Sequence, residues 1–336
     1  MKKTITNRAT NKNRKSNIPH GPIEEFKEDV RKGLTSAPKF IPSKYLYDDT
    51  GDRLFSTIMT LPEYYPTRSE YEILDTHKKE IIDLFSDGEN QFEIIELGPG
   101  DGFKTKLLLG EIYNRNLSVT YTPIDISSHV LELLSEDLQK LFPTLTIMPV
   151  WKDYLAALKG LTNNNIRRII LFLGANIGNS TPKEALSFLK EIKKHLNPGD
   201  KALIGFDLKK HPRDILQAYD DKSGITRAFN LNLLKRINNE LSANFNLSGF
   251  DHYPSYNPVT GETESFLISL SEQTVHLGKL NMSIKFKAWE TIKTELSQKY
   301  TMEDIEELSS KAGLKLMNAF YDQKRFYTDC LFEIIS

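Results

Sequence analysis

An open, doubly wound α/β sheet of seven strands, interrupted by an inserted α+β lobe, is the fold that this sequence predicts. Three observations carry that expectation. Phe92 to Lys106 (FEIIELGPGDGFKTK) reads as strand, glycine turn and helix. Val119 to Asp125 (VTYTPID) reads as a second buried strand that ends in an acid. After His211 the rhythm changes to short alternating segments, and from Met302 it returns to a helix and a closing hairpin.

Taken in order, Ile23 to Leu34 reads as a short polar helix. Phe40 to Arg68 follows, punctuated by Pro42, Pro62 and Pro66 and dense in tyrosine (Tyr45, Tyr47, Tyr64, Tyr65). Tyrosines carry a large apolar ring and a polar tip, so as a group these suggest a pocket wall. Glu70 to Phe85 is a helix leading into the first strand. That strand's apolar run (Phe92, Ile94, Ile95, Leu97) suits a parallel strand covered on both faces. The glycines after it, Gly98, Gly100 and Gly102, allow a tight turn and a close backbone approach to a ligand, with the free N–H groups of a helix start behind them. Beyond Asp125, Ser127 or Ser128 caps a helix carrying Leu131, Leu134, Leu138 and Leu141, which Pro143 ends.

A third strand, Leu145 to Val150, leads to Trp151, Lys152, Asp153 and Tyr154. The fourth, Arg168 to Leu173, precedes Asn179 and a helix whose Thr181, Pro182 and Glu184 form a capping box with proline at N1. Asn179 therefore sits at the carboxyl end of a central strand, the edge where open α/β sheets bind ligands. Strand five, Ala202 to Phe206, ends in Asp207. Helices at Ile215 to Tyr219 and Asn230 to Leu241 then introduce alternating segments at Ser265 to Ser271, Val275 to Leu277, Ser283 to Phe286 and Thr291 to Tyr300. Met302 to Ala312 is a helix, and Leu314 to Tyr321 with Phe326 to Ile335 form the hairpin. The expected division is a disordered basic tail over 1–20, a substrate lobe over 21–69 and 211–300, and a cofactor domain over 70–210 and 301–336.

The glycine turn calls for a nucleotide-like cofactor. A dinucleotide fingerprint runs G-x-G-x-x-G, whereas Glu96 to Gly102 runs E-x-G-x-G-x-G, the form S-adenosylmethionine-dependent methyltransferases commonly show. Asp125, 23 residues after Gly102, supports ribose recognition without separating NAD from S-adenosylmethionine. The terminal hairpin, which inserts one antiparallel strand, matches the methyltransferase fold. In that fold the loop after the third strand borders the adenine, and the acid and aromatic at Asp153 and Tyr154 suit its amine and flat ring.

Composition narrows the partners. With 336 residues and 39% hydrophobic content the chain can bury a large core, and a formal charge of −1 gives no global attraction to nucleic acid or membrane. No apolar run reaches the roughly 20 residues of a membrane span. A single cysteine, Cys330, excludes an intrachain disulfide, and the seven histidines show no ligand spacing, so no metal is expected. The expectation is a cytoplasmic monomer acting on a small molecule.

Six stretches together resemble one family, the histidine-specific S-adenosylmethionine-dependent methyltransferases that make the N-trimethylated betaine of ergothioneine biosynthesis. They are YLYDDTGDRLFSTIMTLPEYYPTR (Tyr45 to Arg68), ELGPGDGFKTKLL, PIDIS, LFLGANIGNS, AYDDKSGITRAFN (Ala218 to Asn230) and TELSQKY (Thr294 to Tyr300). The resemblance implies that Gly98, Lys104, Asp125, Asp153 and Tyr154 hold the cofactor, together with Gly100 of the same turn. It implies that Tyr47, Tyr64, Asn179, Tyr219, Glu295 and Ser297 surround L-histidine, with Asn179, Tyr219 and Tyr47 nearest the chemistry. Glu295 and Ser297, two apart in an alternating segment, share a strand face. A carboxylate accepts from one imidazole N–H while a hydroxyl donates to the other ring nitrogen. Ser265 departs from the family, which usually has methionine there. A smaller polar residue is expected to enlarge the pocket or admit water, which keeps a bulkier substrate such as tryptophan in view.

Overall fold

The computed structural model describes residues 22–161 and 166–336; the basic tail expected over residues 1–20 lies outside them. Helix α1 (Pro22–Thr35) and strand β1 (Lys39–Phe40) lead to α2 (Asp49–Ile58) and the long α3 (Tyr65–Ser86). The parallel half follows as β2 (Gln91–Leu97), α4 (Thr105–Asn114), β3 (Ser118–Asp125), α5 (Ser128–Leu141), the short β4 (Thr146–Ile147) and β5 (Val150–Trp151), α6 (Tyr154–Lys159), β6 (Arg168–Phe172), α7 (Pro182–Lys194) and β7 (Lys201–Asp207). Helices α8 (Pro212–Tyr219) and α9 (Ile225–Leu241) introduce β8 (Phe250–Tyr256), β9 (Glu262–Ser269), β10 (Gln273–Leu277), β11 (Met282–Phe286) and β12 (Thr291–Gln298). The chain closes with α10 (Met302–Ala312), β13 (Leu314–Tyr321) and β14 (Tyr327–Ile334).

The large sheet runs β13-β14-β7-β6-β2-β3-β4, with β5 continuing the β4 position along β3. Strands from β7 to β4 are parallel, and β14 lies antiparallel between β13 and β7. The expected fold class and its antiparallel intruder are therefore present. The third strand, read as continuous, is split: Pro149 has no N–H to give the ladder, and pairing lapses between Ile147 and Val150. Successive residues of each strand face opposite ways. Ile94, Ile169, Leu171 and Leu203 pack with buried side chains of α3, α4 and α5, while Ile95, Ile170, Ala202 and Ile204 pack with those of α7 and α10. Helices thus cover both faces.

A second sheet, β1-β12-β9-β8, and the β10-β11 hairpin share a separate core with α1, α2 and α9, built from Phe26 through Ile58 and Phe229 through Ile292. It is stitched to the carboxyl edge of the parallel sheet where β12 ends: Tyr300 N–H donates to the Asp207 carbonyl (3.0 Å) and Lys209 N–H to the Tyr300 carbonyl (2.8 Å). Among the elements not foreseen, two carry residues that count against them. Helix α2 has glycine in its first turn, a poor helix former, yet Asp48 caps it by accepting from Gly51 N–H at 2.7 Å. Strand β8 contains Pro254, which is tolerated because β8 is an edge strand.

Among the described residues the buried Nε2 of His252, on β8, has no hydrogen-bond partner, and burial pushes its imidazole down from 6.5 to about 4. A base kept neutral in the fold favours the unfolded chain once acid can protonate that chain. Its cost to stability is absent above about pH 6.5, grows as pH falls towards 4, and is then constant, reaching at most about 3 kcal/mol. A His252→Gln variant is expected to lose stability less steeply between pH 6.5 and 4, as read by denaturant melts. Parallel curves for the two proteins would contradict this.

Candidate active site

The turn after β2 is built by left-handed glycines, with φ of +71° at Gly98, +57° at Gly100 and +66° at Gly102. At Gly98 a side chain is excluded twice over, since a Cβ would also lie 2.3 Å from the Tyr154 hydroxyl. At Gly100 nothing lies within 4 Å of where a Cβ would stand, so this part of the turn faces open space. The turn is anchored from below. Glu96 is buried and accepts from the hydroxyls of Thr105 (2.6 Å) and Tyr121, tying α4 and β3 to β2. Burial pushes the Glu96 carboxyl up, and those two hydroxyls oppose the shift.

The other residues expected at the cofactor lie around this turn. Asp125 ends β3 half-buried, accepting one bond from Ser127 N–H (2.8 Å); burial raises its carboxyl and the Ser127 and Ile126 N–H groups hold it back. Tyr154 packs edge-on against Phe172 at 6.0 Å, and burial, then Asp125 and Glu96, push its phenol up to about 12. Gly98, Asp125 and Tyr154 therefore converge. Asp153 is exposed and caps α6 through Ala156 N–H (2.9 Å). Lys104 sends its ammonium to Glu70, a fully buried carboxylate that also accepts from Gly174 N–H (2.7 Å) and the Tyr327 hydroxyl (2.8 Å).

At the second core, the Tyr47 ring meets Phe55 at 5.5 Å and Phe229 at 5.6 Å, and Tyr64 meets Phe55 at 6.1 Å. Although 39% of Tyr47 stays accessible, its hydroxyl is enclosed: burial, then Glu295, Tyr219, Asp52 and Tyr154, push the phenol above its ordinary range. Tyr64 is raised by burial, then by Tyr219, Tyr47 and Glu295. Tyr219 is raised by burial, then by Glu295 and Asp207, with Ser297 opposing. These phenols stay neutral and form one electrostatic neighbourhood with Glu295. Tyr154 links it to the glycine turn.

Glu295 and Ser297 owe their aim to a bulge. The β12 to β9 register slips between Lys293 and Glu295, so Ile292 faces Leu267, Glu295 faces Ser265 and Ser297 faces Thr263. The inward residues of β9 are odd-numbered throughout, and the extra residue, Thr294, moves the inward phase of β12 from even to odd numbers. Thr294 is held in place by its hydroxyl, which donates to Asn230 Oδ1 (2.6 Å). Ser265 is fully buried and donates to Glu295 Oε2 at 2.9 Å. It was expected to open the pocket; in the fold it fixes one oxygen of the carboxylate. Burial raises the Glu295 carboxyl, with Ser265 and Lys299 opposing.

Asn179 ends the short turn over Asn176–Asn179 that leads into the capping box of α7. It is exposed, and its side chain makes no hydrogen bond among the described residues. The residue before it, Gly178, lies so close to β12 that a Cβ would stand 2.7 Å from the Gln298 carbonyl oxygen. The turn is thereby pressed against the strand that carries Glu295 and Ser297.

A family model described as histidine-specific methyltransferase, SAM-dependent, matches residues 26–334. The chain belongs to this family. It is 37% identical over 292 residues to a histidine N-alpha-methyltransferase of Mycolicibacterium smegmatis, covering 87% of this chain and 89% of that protein. It is 33% identical over 284 residues to ergothioneine biosynthesis protein 1 of Neurospora crassa, covering 83% of this chain and 31% of that one. An L-tryptophan methyltransferase of Psilocybe serbica is more distant, at 25% over 340 residues and 94% of each chain.

The turn fits the cofactor of a SAM-dependent family on its own geometry. Gly100 leaves a backbone approach open, and Asp125 has carboxylate lone pairs beyond the one given to Ser127. Sequence reasoning missed the groups behind the site: Glu70, Lys299, the donor role of Ser265, and the part Glu96 plays in anchoring Thr105 and Tyr121. For Lys299 the signal was present, since the two-residue period that paired Glu295 with Ser297 extends to it. For Glu70 there was none, because its partners Lys104, Gly174 and Tyr327 come from distant segments.

Proposed function

We propose that this methyltransferase converts L-histidine to its Nα-methylated forms, three methyls in succession giving N,N,N-trimethylhistidine, the first step of ergothioneine biosynthesis. The observation that carries this reading is the Glu295 and Ser297 pair, aimed from one face of a bulged strand into a cluster of neutral phenols. S-adenosylmethionine, when bound, supplies a methyl group made electrophilic by its sulfonium. Gly98, Gly100, Lys104, Asp125, Asp153 and Tyr154 would hold it. The chain's own task is to bind the amine as its free base, align the nitrogen lone pair and keep water out. Asn179 supplies both a donor and an acceptor for the amino and carboxylate groups, Tyr219 donates to the carboxylate, and Tyr47 and Tyr64 wall the amine. Glu295 accepts from one ring nitrogen and Ser297 donates to the other.

The same reading assigns substrate binding to 21–69 with 211–300 and cofactor binding to 70–210 with 301–336. The separate core drawn from Phe26 to Ile58 and Phe229 to Ile292 supports that division. It also has the enzyme working as a cytoplasmic monomer, apart from nucleic acid and membrane, in keeping with its formal charge of −1. Among the described residues no helix is long and apolar enough to cross a bilayer.

Incubation with S-adenosylmethionine and each amino acid in turn, read by mass, tests the assignment. Histidine should gain up to three methyl groups; a gain on tryptophan alone would overturn it. Asn179→Ala suits a test of role because the side chain is exposed and forms no hydrogen bond among the described residues. Losing its bond should lower kcat/KM for histidine about tenfold, with S-adenosylhomocysteine affinity unchanged by calorimetry. Unaltered turnover would remove Asn179 from the site.

A further inference from the structure

Lys299 follows Ser297 on the inward face of the chain leaving β12 and is 1% exposed. Its ammonium donates to the Tyr219 hydroxyl (2.8 Å), the Ser297 hydroxyl (2.8 Å) and Asp207 Oδ2 (2.7 Å). An ammonium has three N–H donors and no acceptor, so these partners saturate it. Asp207 is the counter-ion. It also accepts from the Tyr65 hydroxyl (2.9 Å) and pairs with Lys210 (2.5 Å). Burial alone would push its carboxyl up, but Lys210 and Lys299 hold it below the usual range.

A hydroxyl that accepts from an ammonium must give its own proton to something else. We infer that Lys299 is a positioning residue for the reaction: it fixes Ser297 and Tyr219 as hydrogen-bond donors towards the bound amino acid. This rests on the histidine reading above and deepens it. Ser297, with one lone pair held by the ammonium, then turns its proton to a ring nitrogen, while Glu295, already accepting from Ser265, meets the other as an acceptor. The pocket is complementary to a neutral imidazole with one N–H and one lone pair, in one orientation. Tyr219, set in the same way, presents its proton to the carboxylate. An indole has no ring lone pair for Ser297, so the ammonium two hydrogen bonds from the substrate takes part in choosing it.

The test compares Lys299→Met, Lys299→Gln, Ser297→Ala and the Ser297→Ala/Lys299→Met double variant with the wild type, using histidine at saturating S-adenosylmethionine. Asp207 keeps Lys210 and Tyr65 in every variant, so no carboxylate is stranded. Ser297→Ala is expected to raise KM for histidine about tenfold with little change in kcat, and Lys299→Met to do the same. Because one acts through the other, the double variant should lose far less than the product of the two. Lys299→Gln retains N–H donors and should recover part of the loss, and S-adenosylhomocysteine affinity should be unchanged throughout. A wild-type KM in Lys299→Met and Lys299→Gln beside a weakened Ser297→Ala, or full multiplication in the double variant, would overturn the inference alone. A wild-type KM in Ser297→Ala would remove the pocket assignment and the inference with it.

Discussion

Alanine at Gly98 is expected to raise the dissociation constant for S-adenosylhomocysteine by at least about 100-fold while the chain stays folded. Two costs arise at one atom. The backbone there has φ +71°, a conformation that costs an L-residue roughly 1–2 kcal/mol. The new Cβ would also stand 2.3 Å from the Tyr154 hydroxyl. Tyr154 cannot yield freely, because its ring packs against Phe172. Either the turn opens or Tyr154 leaves, and each outcome takes apart the place where Gly98, Asp125 and Tyr154 converge. A 100-fold loss corresponds to about 2.7 kcal/mol, within reach of strain and displacement together. Gly199 is the control: it has φ +88° with nothing within 4 Å of its Cβ position, so Gly199→Ala carries the strain without the collision and lies at a turn outside the site. Calorimetry should show affinity lost in Gly98→Ala and kept in Gly199→Ala, with a drop in Tm in both that is larger in Gly98→Ala. Equal affinities would show that the turn does not cradle the cofactor.

The parallel half of the fold was legible in the sequence because its signals are local. Apolar runs mark β2, β6 and β7, the closing acid marks β3, glycines mark the turn, and the Thr181, Pro182 and Glu184 box marks the start of α7 within a residue. The inserted lobe was less legible because its decisions are made across strands. Nothing near Thr294 announces a bulge; the extra residue is accommodated because Asn230, on a helix far away in the chain, accepts its hydroxyl proton. The same divide runs through the site. Gly98, Asp125, Asp153 and Tyr154 follow strand ends that can be counted, and the structure brings Gly98, Asp125 and Tyr154 together. The buried acids behind the site, Glu70 beneath Lys104 and Asp207 beneath Lys299, stand far from their partners in sequence. A lone acid in an apolar helix or at a strand end does not reveal which ammonium it will meet. Ser265 shows the limit most clearly, since a residue read only by its size proved to matter by its proton.

Replacing Glu295 by alanine should lower kcat/KM for histidine about 100-fold, mostly through KM, and narrow the preference for histidine over tryptophan. The carboxylate is half-buried, raised by burial, and held by Ser265 at 2.9 Å, so one oxygen is already committed within the fold. The other is left to accept from the ring. A bond from a buried charged acceptor is worth roughly 1.5–3 kcal/mol, and sites that read a polar edge reject ligands lacking it far more strongly than sites that read size alone. Removing the carboxylate leaves the Ser265 hydroxyl without its acceptor and a space lined by Thr263, Ser265 and Ser297. An indole N–H no longer competes poorly there, because no second ring nitrogen is demanded by Glu295 and Ser297 acting together. Glu295→Gln separates charge from shape: the amide keeps an acceptor oxygen of nearly the same size, so it should fall between wild type and alanine for histidine. Competition assays with both amino acids in one vessel, read by mass, give the ratio directly. An unchanged ratio in Glu295→Ala would mean that the ring is read elsewhere, and the bulge at Thr294 would then have no part in substrate choice.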